Sequence, residues 1–386
     1  MNQTKISNRL FYTWLGLLGI AVLLGLLAAF RLLTEGHHLF NANDVLIWSL
    51  PLGVYIYFAL TSSGLTLLAS IPLVFGVKKH EPFAKRLIFL AIACLLGGFV
   101  SIGLELGDIF HMIYIMLSPN LSSPIWWMGA IYSLELVVLV IKFFLIHSGD
   151  WDSPVSKTLG KISFLCALIA PLMIGSVFGL TESRVTYFGP VMSIYCLLMA
   201  ILSGTAFCLF YNLIHPMITG NGMSEEKDAV IRDYTRVFTG SLGAVVILTL
   251  IRLFIEGSTV VPEFLNYHKY ARAFGSVAGI NTEVILGLFL PFILISIPGL
   301  RYLKGTRILT SGIVLLGTLA MHIEILLAGQ SRPVGPKAEQ FPDVISYFPS
   351  IWEWIVFMFS IAIILLLISL GERFFRLGSG HTRVAD

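Results

Sequence analysis

The chain has 386 residues, of which 56% are hydrophobic and only 12% are charged, and its formal net charge is +3. A soluble domain carries about 25% charged residues, so this composition excludes an ordinary globular protein and indicates one that a lipid bilayer solvates. The small net charge gives no reason to expect nucleic-acid binding. The four cysteines, none of them in a CxxC pair, give no reason to expect a disulfide framework or a metal site.

Ten apolar runs follow one another along the chain, and each is long enough to cross about 30 Å of hydrocarbon as a helix. They lie near residues 11–33, 46–76, 87–107, 124–147, 159–181, 188–214, 237–256, 281–300, 307–329 and 350–372. The sequence therefore predicts an all-α, polytopic membrane protein, built as a single integral membrane domain over residues 1–386.

The order of these runs also predicts how the domain is organised. Helices 1–6 occupy residues 1–215, a cytoplasmic linker with the sequence GNGMSEEKD occupies 216–236, and helices 7–10 occupy 237–386. Hydropathy suggests two four-helix bundles, formed by helices 2–5 and by helices 6–9, with helices 1 and 10 flanking them. No clear sequence repeat accompanies this division.

The distribution of Lys and Arg predicts the orientation, because cytoplasmic loops carry an excess of these residues. Eighteen of the 25 basic residues lie at alternating helix ends, six lie at the opposite ends, and Arg252 lies within helix 7. We therefore expect a multi-pass protein of the cytoplasmic (inner) membrane with both termini in the cytoplasm, which requires an even number of helices.

Ionisable side chains inside a membrane are costly and usually mark a functional site. In the predicted orientation nearly all of them lie in the outer half of the bilayer, on several helices at one depth. Helix 3 carries two carboxylates spaced i,i+3, which predicts that they share one helical face. The candidates are Glu105 and Asp108 in helix 3, Arg252 and Glu256 in helix 7, Glu283 at the start of helix 8, His322 in helix 9 and Glu353 at the start of helix 10.

Structural explanations remain open for most of these residues. Arg252 and Glu256 are spaced as an internal i,i+4 ion pair. Glu283 and Glu353 stand where a carboxylate suits the positive end of a helix dipole. His322 could be an ordinary core histidine that forms a hydrogen bond within an apolar helix.

Four further candidates lie in helix 4 and in helix 2. Glu135, near the midpoint of helix 4, needs a partner or a proton, and Lys142 either extends to the inner interface or continues a proton path from Glu135. Helix 2 places Tyr55 and Tyr57 close to hydroxyl-bearing and small residues. This pattern indicates either close helix packing or a hydroxyl-lined cavity.

The histidine count argues against embedded haem, because two facing helices would have to supply paired axial histidines. Of the nine histidines only His322 lies well inside a predicted span, and no P-loop is present. A redox cofactor carried by this chain would have to be a small membrane-soluble molecule, and any other would belong to a partner.

Five segments carry a resemblance to a known family: WSLPLGVYIYFAL in helix 2, SIGLELGDIFH in helix 3, TLIRLFIEG in helix 7, INTEVILGLFLP in helix 8 and SYFPSIWEWIVF at the start of helix 10. On these segments the chain resembles the NrfD, or polysulphide-reductase-type, integral membrane subunits over nearly its whole length. Within that family it looks most like the ten-helix DsrP/HmeB-type and HybB-type subunits.

This resemblance implies a quinone oxidoreductase subunit that is active only within its complex. Such subunits hold neither haem nor an iron–sulphur cluster and bind menaquinone or another exchangeable quinone near the outer face. They dock a ferredoxin-like iron–sulphur subunit there, with a multihaem cytochrome c or other membrane subunits as further partners. Electrons then pass between quinone and the iron–sulphur subunit in sulfur- or sulfate-respiration-type metabolism.

The resemblance also implies which residues lie at or near the quinone pocket, namely Glu105, Asp108, Arg252, Glu256, Glu283 and Glu353. The sequence departs from hydrogenase-type members at Ala59, where they carry an acid. We therefore expect Tyr55 or Tyr57 to take over the role of that acid.

Quinone chemistry moves protons together with electrons, so acids and bases near a quinone oxygen have a chemical role. We hypothesise that His322 and either Glu283 or Asp108 exchange these protons. Arg252 would stabilise negative charge as it develops on a quinone oxygen and would orient the acids.

Two other classes of function fit the same composition. A secondary transporter of an ion or small anion would line its path with charged residues, but few Gly or Pro breaks interrupt these helices, and the charges gather near one face. A passive membrane anchor for a partner enzyme would need no pocket at all.

Overall fold

The computed structural model describes residues 8–184, 188–220, 222–257, 276–277, 280–331, 333–335, 338–342 and 345–378. Within these ranges it leaves out the side chains of residues 109, 116, 255–257, 276, 277 and 280. All structural statements below refer to the described residues.

Ten apolar helices make up nearly all of the described structure. They are α1 Asn8–Glu35, α2 Leu50–Leu73, α3 Glu81–Glu105, α4 Pro124–His147, α5 Pro154–Gly179, α6 Val191–Thr219, α7 Glu225–Gly257, α8 Thr282–Ser296, α9 Lys304–Gln330 and α10 Ile351–Phe375. Nine are long and apolar enough to span a bilayer, judged over the described ranges. The exception is α8, a short helix in which the turn Ile285–Phe289 is π-helical.

Short elements connect the long helices. They are the 3₁₀ turns His37–Leu39, Lys78–His80, Ile109–Ile113 and Ala338–Gln340, the helical turns Tyr114–Leu117 and Pro298–Arg301, and the strands Ser276–Val277 and Ile280–Asn281, which pair antiparallel. The predicted all-α, polytopic membrane architecture is thus confirmed.

Helix contacts also confirm the two predicted bundles. Helix α2 packs on α3, α3 on α4, α4 on α5 and α5 back on α2, which closes the first bundle. The second closes in the same order through α6, α7, α8 and α9. The bundles meet chiefly where α2 and α5 contact α6, and α10 lies on α3 while α1 lies on α10.

Helix α2 is the central element, since it contacts α3, α5, α6, α9 and α10. Its residues are apolar or small on every side, which suits a helix that other helices surround. Helix α1 instead keeps most of its apolar surface exposed, as expected of a peripheral helix that faces lipid.

Alternate helices begin at the same end of the molecule. We call the end where α2, α4, α6, α8 and α10 begin the Glu353 end. The opposite end, where Arg86 in the second turn of α3 contacts Glu372 near the end of α10, is called the Arg86 end.

The predicted linker 216–236 is wrong in extent. Helix α6 continues to Thr219 and ends at Gly220, whose φ of 68° suits a left-handed helix end. Helix α7 already begins at Glu225, with Glu225, Glu226 and Asp228 in its first turn. Carboxylates stabilise the first turn of a helix, because they lie at the positive end of the helix dipole. The charges that were typical of a solvated loop therefore belong to the start of α7.

Candidate functional site

Two of the predicted site residues at the Glu353 end, Glu105 and Glu353, accept hydrogen bonds at the starts of helices. The Glu105 carboxylate accepts hydrogen bonds from the Ser49 backbone N–H at 2.7 Å and from the Ser49 hydroxyl at 2.6 Å. Glu353 is fully buried and closes a capping box with Ser350. It also accepts from the Asn41 N–H at 3.1 Å. Both carboxylates are therefore already supplied with donors from the protein.

Tyr347 joins these two positions. Its hydroxyl donates to Glu353 and accepts from the Leu50 N–H at 2.9 Å, so it bridges the starts of α2 and α10. Burial, together with the neighbouring Glu353 carboxylate, raises the pKa of Tyr347. The phenol therefore stays protonated and able to donate.

Asp108 lies apart from the other candidates. Helix α3 ends at Glu105, Leu106 is extended, and Asp108 caps the following 3₁₀ turn by accepting from the Phe110 N–H at 3.0 Å. Its side chain is 49% exposed and lies 2.9 Å from His111. The prediction that Asp108 shares a helical face with Glu105 is wrong, because aspartate at this spacing starts a new turn instead of continuing the helix.

Four polar residues of the second bundle form what we call the Glu283 group: Tyr195, Arg252, Asn281 and Glu283. Arg252 and Glu283 both lie close enough to act electrostatically on the Tyr195 hydroxyl. Tyr195 is 4% exposed and Glu283 is 6% exposed. The Asn281 side chain faces the Glu283 carboxylate, but no well-aligned hydrogen bond joins them, and the Tyr195 hydroxyl has no hydrogen-bond partner among the described residues. The side chain of Glu256, also predicted here, lies outside the described residues.

His322 lies in the same bundle beside α2. Its Nδ1 is 2.5 Å from the Thr318 carbonyl oxygen. A carbonyl can only accept, so Nδ1 carries the proton of this hydrogen bond. The buried Nε2 has no partner in the described part of the chain. The Tyr57 ring lies 6.0 Å from the His322 ring, centroid to centroid.

Glu135 occupies the first bundle with what we call the Glu135 group: Tyr55, Ser63, Thr66, Tyr132 and Glu135. The fully buried carboxylate faces the Ser63 and Thr66 hydroxyls, although neither is placed to form a well-aligned hydrogen bond. Tyr55 and Tyr132 lie beside it, with ring centroids 6.3 Å apart. This is a buried acid surrounded by hydroxyls.

Lys142 lies two turns further along α4, toward the Arg86 end. Its side chain is fully buried, and Nζ donates to the Ser156 carbonyl at 2.8 Å and to the Ser156 hydroxyl at 2.6 Å. Ser156 stands in the first turn of α5, near Asp150 and Ser153. The ammonium thus ends at a helix start inside the protein and not in solvent.

The candidates therefore form separate groups on the two sides of α2. Tyr55 and Tyr57 are two residues apart, and two residues rotate a helix by about 200°, which turns them to opposite sides. Tyr55 faces Glu135 in the first bundle, and Tyr57 faces His322 in the second.

Two tyrosines of these groups, Tyr132 and Tyr195, escaped the sequence reasoning. Tyr132 lies three residues before Glu135 and Tyr195 has no charged neighbour in the sequence. A tyrosine deep in an apolar helix usually has a polar role, which is the signal that could have found both. Glu324 in α9 is fully buried, with both oxygens lacking a hydrogen-bond partner among the described residues. No cluster of three His, Cys, Asp or Glu side chains in the described ranges could hold a metal ion.

Comparisons with known proteins agree with the sequence resemblance. The sequence model of the family described as "Polysulphide reductase, NrfD" matches residues 37–334. The "Hdr-like menaquinol oxidoreductase integral membrane subunit" of Archaeoglobus fulgidus is 23% identical over 338 residues, which cover 83% of this chain and 82% of the relative.

Two further relatives are similar over comparable lengths. A putative dimethyl sulfoxide reductase membrane subunit of Halobacterium salinarum is 23% identical over 354 residues, covering 83% of this chain and 77% of the relative. A selenate reductase subunit of Mesobacillus selenatarsenatis is 21% identical over 411 residues, covering 94% of this chain and 93% of the relative.

Proposed function

Since the chain belongs to the NrfD family of polysulphide reductase membrane subunits, we propose that it is the quinone-binding membrane subunit of a multisubunit redox complex. It exchanges electrons between an exchangeable membrane quinone and a ferredoxin-like iron–sulphur subunit docked at the Glu353 end. The name of the Archaeoglobus fulgidus relative supports menaquinone as the quinone. The names of the other relatives support a complex in anaerobic respiration, for which we propose sulfur or sulfate metabolism.

One observation carries this proposal. The second bundle buries the Tyr195 hydroxyl, the Glu283 carboxylate and His322 Nε2 without a well-aligned hydrogen bond to any of the described residues. Buried polar atoms are nearly always paired, so such a set in one half of a bundle fits a bound ligand. A quinone headgroup suits it, because its two oxygens accept hydrogen bonds when oxidised and donate them when reduced, while its ring matches apolar walls.

Each residue has a role that follows from its placement. A bound quinone supplies the two-electron, two-proton redox couple. Glu283 holds or releases a proton at its carboxyl group, and His322 does so at Nε2, because Thr318 fixes the proton on Nδ1. Arg252 stabilises negative charge on a ligand oxygen. Tyr195 and Tyr57 orient the ligand from α6 and α2.

Glu105 and Glu353 support the site indirectly in this proposal. Their oxygens already accept from backbone and hydroxyl donors, so they fix the starts of α2 and α10. The exposed Asp108 is left out as a proton exchanger, since its carboxylate caps a turn at the surface.

We also propose that Glu135 and Lys142 begin a proton path toward the Arg86 end. Glu135 is a buried acid beside Tyr55 and two hydroxyls. Seven residues, about 10 Å of helix, separate it from Lys142. The excess of Lys and Arg at the Arg86 end supports a cytoplasmic location for that end and for both termini.

The test is quinone-analogue binding and quinol turnover in the assembled complex. Glu283→Gln should lower turnover roughly a hundredfold, within the usual contribution of acid–base catalysis. Arg252→Ala should weaken binding of the quinone analogue. Asp108→Asn is the matched control, because it also removes a carboxylate at this end, and it should behave like wild type. Unchanged binding and turnover in both Glu283→Gln and Arg252→Ala would refute the proposal.

The partner is tested separately by purifying the native complex from membranes. We expect iron–sulphur absorbance to accompany this chain, together with c-haem absorbance if a multihaem cytochrome is also bound. A chain that purifies alone, and that carries an ion across vesicle membranes without a redox substrate, would instead be a transporter.

A further inference from the structure

A polar cavity opens at the Arg86 end, away from the proposed quinone site. Its volume is about 530 Å³, and it lies between the end of α6 and the starts of α7 and α9. Three basic and two acidic side chains dominate its wall. The lining residues are Leu213, Met223, Glu225, Asp228, Arg232, Lys304 and Arg307.

The start of α9 at this cavity has an unfavourable charge pattern for an isolated helix. The N-cap residue Leu303 provides no side-chain cap, and the first turn holds no acidic residue. It holds Lys304 and Arg307 instead, although cations are disfavoured at the positive end of a helix dipole. By contrast, the Ser153 hydroxyl caps α5 at the same end of the molecule. An anion at the start of α9 would correct this pattern.

Arg307 provides a second, independent observation. Its side chain is only 6% exposed, and its two terminal nitrogens reach Asp228 at 3.4 and 3.5 Å. Its Nε has no hydrogen-bond partner among the described residues. Asp228 also binds Arg232 at 2.8 Å, so one carboxylate serves two guanidinium groups. The cavity therefore has more positive charge than its own carboxylates neutralise.

We propose that this cavity binds a phosphate group. A phosphate oxygen can accept from Lys304 and from the N–H groups in the first turn of α9, beside the positive charge of Arg307, which together form the usual kind of anion site. The cavity lies at the ends of membrane-spanning helices, and Leu303 and Leu309 near the start of α9 are exposed. This position gives an anionic phospholipid headgroup access to the site, while free phosphate can reach it from water.

The experiment uses the intact, delipidated complex and compares three probes: phosphatidylglycerol, phosphatidylcholine and inorganic phosphate. Lys304→Gln should weaken phosphatidylglycerol binding roughly fivefold, the contribution expected of one basic residue near an anionic headgroup. Glu225→Gln should tighten it by a similar factor, because it removes a negative charge from the wall. Lys161→Gln in α5, an exposed lysine at the same end, is the matched control and should change nothing.

The outcomes separate the two sources of phosphate. If millimolar inorganic phosphate displaces the lipid from wild type, the site accepts a free anion; if it does not, the site requires the lipid. The proposal is overturned if phosphatidylcholine binds as tightly as phosphatidylglycerol. It is equally overturned if Lys304→Gln and Lys161→Gln bind the anionic lipid alike.

Discussion

Gly64 of α2 lies directly against Gly204 of α6, at the point where the two four-helix bundles meet. A Cβ atom on Gly64 would overlap the carbonyl oxygen of Ala200, and one on Gly204 would overlap the backbone of Gly64. Small residues allow membrane helices to approach this closely. The contact therefore fixes how the bundle that holds Glu135 is placed against the bundle that holds Glu283.

Substitution at this contact should separate the bundles. We expect Gly64→Ala to destabilise the protein by about 1–3 kcal/mol, because the added methyl group meets backbone atoms and not a flexible side chain. Thermal unfolding in detergent measures the effect. Gly16→Ala in α1 is the control, since a Cβ there would meet nothing within 4 Å. Equal melting temperatures for the two variants would contradict the prediction.

The Arg86–Glu372 ion pair should contribute far more to stability than surface pairs do. Arg86 Nε lies 2.7 Å from Glu372, and both side chains are largely buried. Tyr211 donates to the same carboxylate at 3.0 Å. Arg86→Met removes the guanidinium that pairs with this largely buried carboxylate and leaves Tyr211 as its donor, so we expect a loss of about 3–5 kcal/mol.

A matched exposed pair provides the control for that measurement. Arg31 and Glu35 form an i,i+4 pair in α1 whose side chains are 47% and 34% exposed. Glu35→Gln should cost less than about 1 kcal/mol. The interpretation of Arg86 would be wrong if both substitutions shifted thermal unfolding by the same amount.

Tyr347→Phe should loosen the junction between α2 and α10. The change removes the partner of the Leu50 N–H and one donor to Glu353, and leaving buried polar groups unpaired costs about 1–3 kcal/mol. Faster hydrogen exchange at the start of α2 would report the loosening. Unchanged exchange at Leu50 would show that the hydroxyl is dispensable.

The Tyr347 hydroxyl should also make the stability of the protein depend on pH. The pKa of Tyr347 is raised in the folded protein, first by burial and then by Glu353. A raised pKa means that the folded state holds its proton more tightly than the unfolded state. The contribution of Tyr347 to stability is therefore complete below its ordinary pKa of about 10 and declines as the pH rises above it. The difference in melting temperature between wild type and Tyr347→Phe should shrink over that range and stay constant below it.

Glu135→Gln should separate proton transfer from quinone binding. The amide has nearly the same shape as the carboxyl group but cannot exchange a proton, so quinone-analogue affinity should stay near wild type. Turnover should fall roughly tenfold or more, because proton transfer through this position accompanies each turnover in the proposed path. Ser70→Ala is a control of similar burial in α2, where the hydroxyl only bonds the Thr66 carbonyl. Wild-type turnover in Glu135→Gln would exclude the path.

The sequence by itself determined the membrane class, the ten helices and their alternation between two ends. These features depend on the length of apolar runs and on the sign of the charges between them, which are properties of short segments. The capping box at Ser350 and Glu353 is equally local, because both partners lie in one helical turn. The acidic first turn of α7 is also local, but in the sequence alone its charges are equally typical of a solvated linker.

Only the tertiary structure decided which polar residues meet. Helix α2 is apolar or small on all sides, so its sequence does not specify that Tyr55 turns to Glu135 and Tyr57 to His322. Tyr195, Arg252 and Glu283 lie on three helices, with Tyr195 within electrostatic range of the other two, and no pattern within α6 indicates that proximity. Hydrophobicity places a helix in the membrane, but its rotation and its neighbours follow from close packing between residues far apart in the chain, such as Gly64 and Gly204.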